Sequence, residues 1–277
     1  MRRRRLAVAL SALLLAGCGG NSPPASIGVG AGVQPESVLL AQLYAAALRY
    51  HGSPAHVESG QDPLGALDDA AVEVVPGLTG QLLRRFEPGA VARGDEQVYR
   101  SMISALPEGI TAGDYAQSAA DKPALAVSET TAKSWGGRDV ATLVAHCPTG
   151  VGAVAGAGSP AVVGTCRLPS VREYPDAAGL FAALHSGQVQ AAWTSTAAPN
   201  IPSDVVVLAD RTSLIRAENV VPLYRRNELT ERQVLALNEI AGELDTGALA
   251  DMRRQVANGA DPGAVVSAWL ADHPLGH

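Results

Sequence analysis

The chain has 277 residues, of which 47% are hydrophobic and 17% charged, a balance that supports a packed core and excludes an extended disordered chain. Its formal net charge is −6, and no basic stripe offsets that acidity, so a nucleic-acid partner is excluded. Aromatic residues make up only 4% of the chain, so Ala, Val and Leu must fill the interior.

At the N-terminus, Arg2 to Arg5 form a positive stretch and residues 6–16 an apolar run without charge. That run is too short to span a bilayer and has the length of a signal-peptide core. Leu15-Ala16-Gly17-Cys18 follows and resembles the bacterial lipobox, where the signal is cut before the cysteine and the thiol receives lipid. The resemblance implies that residues 1–17 are a lipoprotein signal peptide and that Cys18 is lipidated. It also implies that the protein is held by that lipid at the extracytoplasmic face of the cell membrane. An ordinary signal peptide with a chance cysteine is the alternative. Residues 18–25, with Gly19, Gly20, Pro23 and Pro24, read as a flexible tether. No second apolar run approaches spanning length, so the lipid is the only anchor expected.

The globular part opens with a short strand over 27–30 that runs into a Gly-rich turn. A helix follows, with Pro35 in its first turn and Leu39, Leu40, Leu43, Ala47 and Leu48 on one face. Residues 72–75 read as a strand ended by Pro76-Gly77, and 78–86 and 95–105 as helices. Residues 124–127 form a buried strand before a helix over 129–135. Cys147 and Cys166 stand 19 residues apart in an exported chain and most simply form a disulfide. Closing that loop is worth about 3 kcal/mol in the chain-entropy picture; two separate buried thiols are the alternative. His146 adjoins Cys147, but no second Cys/His pair has ligand spacing, so no metal is expected. Further on, 176–186 is a helix stopped by Gly187, and 189–193 and 204–208 are strands. Thr230 to Gln233 has the form of a capping box, and Asp261-Pro262 opens a last helix. Alternating short buried strands and helices make this an α/β protein with mostly parallel sheets.

Four stretches carry a family resemblance. Residues 244–270 have a Met252, Gln255-Val256, Asp261-Pro262, Val265 and Leu270 skeleton, and Val75-Pro76-Gly77-Leu78-Thr79-Gly80 forms a turn. Ala124 to Val127 precedes Thr130 and Ala132, and Leu184 and Gly187 precede residues 189–193. In order and spacing these are similar to the substrate-binding proteins of osmoprotectant ABC importers, of the glycine betaine, choline and carnitine type. The Ala-, Gly- and Arg-rich composition suits an actinobacterial-type lipoprotein member. The resemblance implies a two-lobed, type II periplasmic-binding-protein fold with the ligand closed between the lobes. Lobe one would take residues 26–122 and 211–277, and lobe two residues 123–210. The implied partners are a small-molecule solute and an ABC permease with its ATPase. No cofactor is implied.

The chain departs from that family where a quaternary ammonium would meet aromatic faces. Val75 and Leu78 stand at two aromatic positions, and Ala120-Asp121-Lys122-Pro123 replaces an Asn-Asn-Thr-Tyr run. Candidate ligand contacts are therefore sought elsewhere. Trp193, Thr194 and Ser195 end a strand at the lobe crossover, where Trp193 serves equally as cleft wall or as core. Gln34 lies at a helix N-terminus suited to a carboxylate. Asp121 offers a charge for a cationic ligand, and Tyr115 and Tyr224 are spare aromatics. Arg225-Arg226 and Arg253-Arg254 read as solvated faces, and Thr79 as a residue that holds its turn. A solute-binding protein for an importer is the leading expectation. The alternative is a lipoprotein that keeps the fold as a sensor or envelope interaction module. An enzyme is not expected, since neither a G-x-S-x-G elbow nor an H-E-x-x-H motif occurs.

Overall fold

The computed structural model describes residues 26–276; the signal segment, Cys18 and the tether lie outside the described residues. The first stretch contains β1 (Ile27–Ala31), α1 (Pro35–Tyr50), β2 (Ala55–Ser59), α2 (Pro63–Asp68) and β3 (Val74–Leu78), then α3 (Thr79–Phe86), α4 (Asp95–Ala105) and β4 (Ile110–Ala112). The middle contains β5 (Pro123–Ser128), α5 (Glu129–Trp135), α6 (Val140–Ala145), β6 (Val151–Val154), β7 (Val162–Val163) and β8 (Cys166–Arg167). It continues with β9 (Arg172–Tyr174), α7 (Ala177–His185), β10 (Ala191–Ser195) and β11 (Val205–Val207). The chain closes with β12 (Val220–Arg225), α8 (Glu231–Glu243), α9 (Thr246–Ala257) and α10 (Pro262–Asp272).

Two five-stranded sheets result, ordered β2-β1-β3-β12-β4 and β11-β5-β10-β6-β9, with β7-β8 a separate ribbon. The chain leaves the first sheet after β4 and re-enters it at β12, so two crossover segments join the sheets. This is the two-lobed α/β arrangement expected, with one correction: the sheets are mixed rather than mostly parallel. β12 runs against both β3 and β4, and β5 runs against both β10 and β11. The reason lies at the crossovers. β12 starts where β3 ends, with Val220 opposite Leu78, and β10 returns to where β5 begins, with Ser195 opposite Pro123. A strand that starts at the junction must run back along one that finishes there.

Pro76-Gly77 does not end a strand as the sequence suggests. Pro76 faces Pro222 directly in the β3–β12 ladder; neither can donate to the other, and the residues on either side carry the hydrogen bonds. α1 is also more than amphipathic. Leu43 to Leu48 are all buried, Tyr44 completely, because the helix is packed between the first sheet and α8, α9 and α10. Side-chain oxygens of Ser128, Asp139, Asp176, Asp245 and Asp261 cap their helices, and Thr230 with Gln233 closes a reciprocal box on α8. Cys147 and Cys166 are bonded, with sulfurs 2.10 Å apart, which pins the β7–β8 ribbon to the end of α6. Among the described residues, no helix is long and apolar enough to cross a membrane.

Candidate ligand-binding cleft

α3 has no cap of its own, since Leu78 precedes it and has no side-chain acceptor. Its free N–H groups are served instead from the second crossover. Thr79 N donates to the Asn219 carbonyl, and Asn219 N donates back to Thr79 Oγ1 at 3.0 Å, so Thr79 holds the turn as expected. Gln81 N donates to Glu218 Oε2 at 2.8 Å. Arg84 Nη1 stands 2.6 Å from Glu218 Oε1. Gly80 makes this docking possible: a Cβ there would collide with the Ala217 carbonyl oxygen and press on the Glu218 carboxyl carbon. Glu218 is 1% exposed. Burial pushes its carboxyl up to about 7, against the pull of Arg84 and the Gln81 N–H, and the Asp121 charge adds to the rise.

The first crossover is fastened to the second in the same region. Lys122 Nζ reaches Asp210 Oδ2 at 3.0 Å, and Asp210 also accepts from Leu214 N and Ile215 N. Burial works to raise the Asp210 carboxyl, but those N–H groups and the Lys122 ammonium hold it below its usual value. Thr196 Oγ1, just past β10, accepts from Lys122 N and donates to the Ala120 carbonyl at 2.7 Å. Two strand ends and two crossovers thus meet at one junction.

Beside this junction a cavity of about 390 Å³ opens beyond the C-terminal ends of β1 and β3, where α/β sheets commonly place ligands. Val75, Leu78, Leu82 and Leu249 give it an aliphatic wall, and Gln34, Gln81 and Asp121 bring polar groups to it. Arg253 of α9 lies at its edge, with Nη1 2.5 Å from Asp121 Oδ2 and Nη2 3.0 Å from Glu36 Oε2. Asp121 Oδ1 is buried without a hydrogen-bond partner. Arg85 also lines the cavity, but is 57% exposed, and its one ion pair among the described residues is with Asp62 at 3.6 Å. No aromatic side chain among the described residues lines this cavity. Among the described residues, no group of three His, Cys, Asp or Glu side chains gathers to hold a metal.

Of the residues singled out in sequence, Gln34 and Asp121 meet in the cavity. Trp193 does not line the cavity and lies in a core cluster with Leu125, Val127 and Ala191; of its two roles, packing is the one this placement gives it. Thr194 and Ser195 lie half-buried at the end of β10, opposite Ala124 and Pro123. Tyr115 packs on Tyr99, ring centres 4.5 Å apart, away from the cavity. Tyr224 pairs with Val74 in the sheet, at the end of β3 far from Leu78. Arg253 corrects the sequence reading: it is 14% exposed and doubly paired, whereas Arg254 lies on the open face with Asp251. Arg225 is half-buried rather than simply solvated, its Nη1 donating to the Leu67 and Asp68 carbonyls. Sequence reasoning also passed over Glu218, Gln81, Arg84 and Glu36. The one available signal was a lone acid, Glu218, separated only by Asn219 from the apolar run that became β12.

The family model describing the substrate-binding domain of ABC-type glycine betaine transport systems matches residues 25–272. Among solved structures, a glycine betaine/carnitine/choline ABC transporter protein is similar with a TM-score of 0.74 at 15% identity, over 90% of this chain and 98% of that one. YehZ from Escherichia coli, without ligand, gives 0.71 at 19% identity, over 91% and 99%. Lactococcal OpuAC, closed on glycine betaine, gives 0.52 at 12% identity, over 90% and 96%. No curated protein is similar in sequence.

Proposed function

Because the chain belongs to the family of substrate-binding domains of ABC-type glycine betaine transport systems, we propose that it is a lipid-anchored, extracytoplasmic solute-binding protein that delivers a small solute to an ABC importer. The observation that carries this is the cavity at the β1 and β3 strand ends, set against the junction where both crossovers meet. Lobe one is residues 26–122 and 211–277, and lobe two is residues 123–210. Closing one lobe on the other would bury a solute beside Gln34 and Asp121 and give the permease a changed surface to read. Cys18 carries the anchor, residues 1–17 having been removed, and residues 18–25 are the tether. The family points to a glycine betaine- or choline-like solute.

A second reading, a lipoprotein that keeps the fold as a sensor or envelope interaction module, is favoured by the absence of aromatic side chains from the cavity lining. Two measurements separate them. Thermal unfolding of the full chain in mild detergent should rise with at least one member of a panel of betaines, choline, carnitine and amino acids, as mass action requires of a ligand bound only by the folded state. A panel without effect favours the second reading. Cys18→Ser should move the protein from the membrane fraction to the soluble fraction; retention in the membrane would remove the lipid anchor from the account.

A further inference from the structure

The cavity lining itself restricts the solute. We propose that this cleft takes an aliphatic α-amino acid in preference to a quaternary ammonium, an inference that rests on the solute-binding reading above.

A quaternary nitrogen has no N–H to donate and is held by aromatic faces. The cavity offers none; its wall is built from aliphatic side chains, among them Leu40, Leu64, Val75, Leu78, Leu82 and Leu249. Its charges are balanced, two carboxylates (Glu36 and Asp121) against two guanidiniums (Arg85 and Arg253), which suits a zwitterion, amino acid or betaine alike, over a net cation such as choline; between the two zwitterions the N–H groups decide. The charged groups are also incompletely used. Asp121 lines the cavity, and its Oδ1, shielded from water in this structure, lacks a donor; an ammonium N–H admitted beside it as the cleft closes would satisfy it, and a trimethylammonium group would not. Arg85 is open to solvent and only loosely held by Asp62, so its planar fork is free to turn onto a carboxylate. An amino acid would therefore set its ammonium on Asp121, its carboxylate on Arg85 and its side chain on the leucine wall, with the Gln34 and Gln81 amides beside the polar head.

The test is calorimetric titration of the full chain in mild detergent with L-leucine and with glycine betaine. Leucine should bind at micromolar Kd, and glycine betaine at least tenfold more weakly. Asp121→Asn should weaken leucine at least tenfold and change glycine betaine by less than twofold. If that variant does not fold, Arg85→Ala, at an exposed position, should weaken leucine at least fivefold through its carboxylate. Glycine betaine binding as tightly as leucine would overturn the amino-acid class and leave the solute-binding reading standing. No heat with leucine would also overturn it. The solute-binding reading itself falls only if the wider thermal panel finds no ligand either.

Discussion

Glu218 supplies from a distant part of the chain the acceptor that Leu78 does not offer at the start of α3, and its burial has a measurable consequence. Its carboxyl sits near 7 in the folded protein against an ordinary 4.5, so the folded chain binds that proton more tightly than the unfolded chain. The contribution to stability is whole below about pH 4.5 and falls as pH rises toward 7, by up to about 3 kcal/mol. Thermal unfolding followed across this range should show Glu218→Gln flattening that decline; an unchanged profile would place the Glu218 pKa in the ordinary range. Asp210 acts in the opposite sense. Its lowered value gives stability that is present above the ordinary carboxylate range and lost on acidification, so Asp210→Asn should lower the unfolding temperature most at neutral pH. Tyr44 is a third case: its hydroxyl is fully buried without a partner, and burial pushes its pKa upward. Tyr44→Phe should be neutral or stabilising by about 1 kcal/mol in denaturant unfolding, since it removes an unsatisfied group. None of these roles was legible in sequence. Asp121 and Gln34, which line the cavity, were singled out because each lies where an element begins or ends, but Glu218 and Arg253 depend on partners 137 and 132 positions away.

α3 depends most on its neighbours among the elements of the cleft. Gly80→Ala should cost 1–3 kcal/mol, on the order of an overpacking penalty, because Ala217 backbone rather than a flexible side chain blocks the new methyl. A variant as stable as the parent would show that the crossover yields. The Cys147–Cys166 bond ties the end of α6 to a ribbon of two two-residue strands, and its loss by Cys166→Ser should lower stability by about 3 kcal/mol. Elements with local signals were readable in sequence. The capping box of α8 and the Asp-Pro start of α10 are written in four and two adjacent residues, and both helices begin where those residues place them. β3 was misjudged because Pro76-Gly77 is a local stop signal overridden by its ladder with β12. Strand direction was likewise set by the crossovers, which leave no periodic trace in the chain.

At the scale of the whole molecule, two sheets are joined through crossovers fastened by the Lys122–Asp210 pair and by Thr196. The cavity is lined by residues of the first sheet's lobe, Asp121 at its crossover among them, and the proposed function has the second lobe close over a solute seated there. The order of elements and the family resemblance made this architecture legible from the sequence, whereas the missing aromatic faces left the solute open. In the proposed function, closure is the property that joins the fold to the solute. Small-angle X-ray scattering of the full chain in mild detergent, alone and with saturating L-leucine or glycine betaine, measures it directly. The account predicts a smaller radius of gyration with one of the two solutes; dimensions unchanged by both would contradict a molecule that works by closing on its ligand.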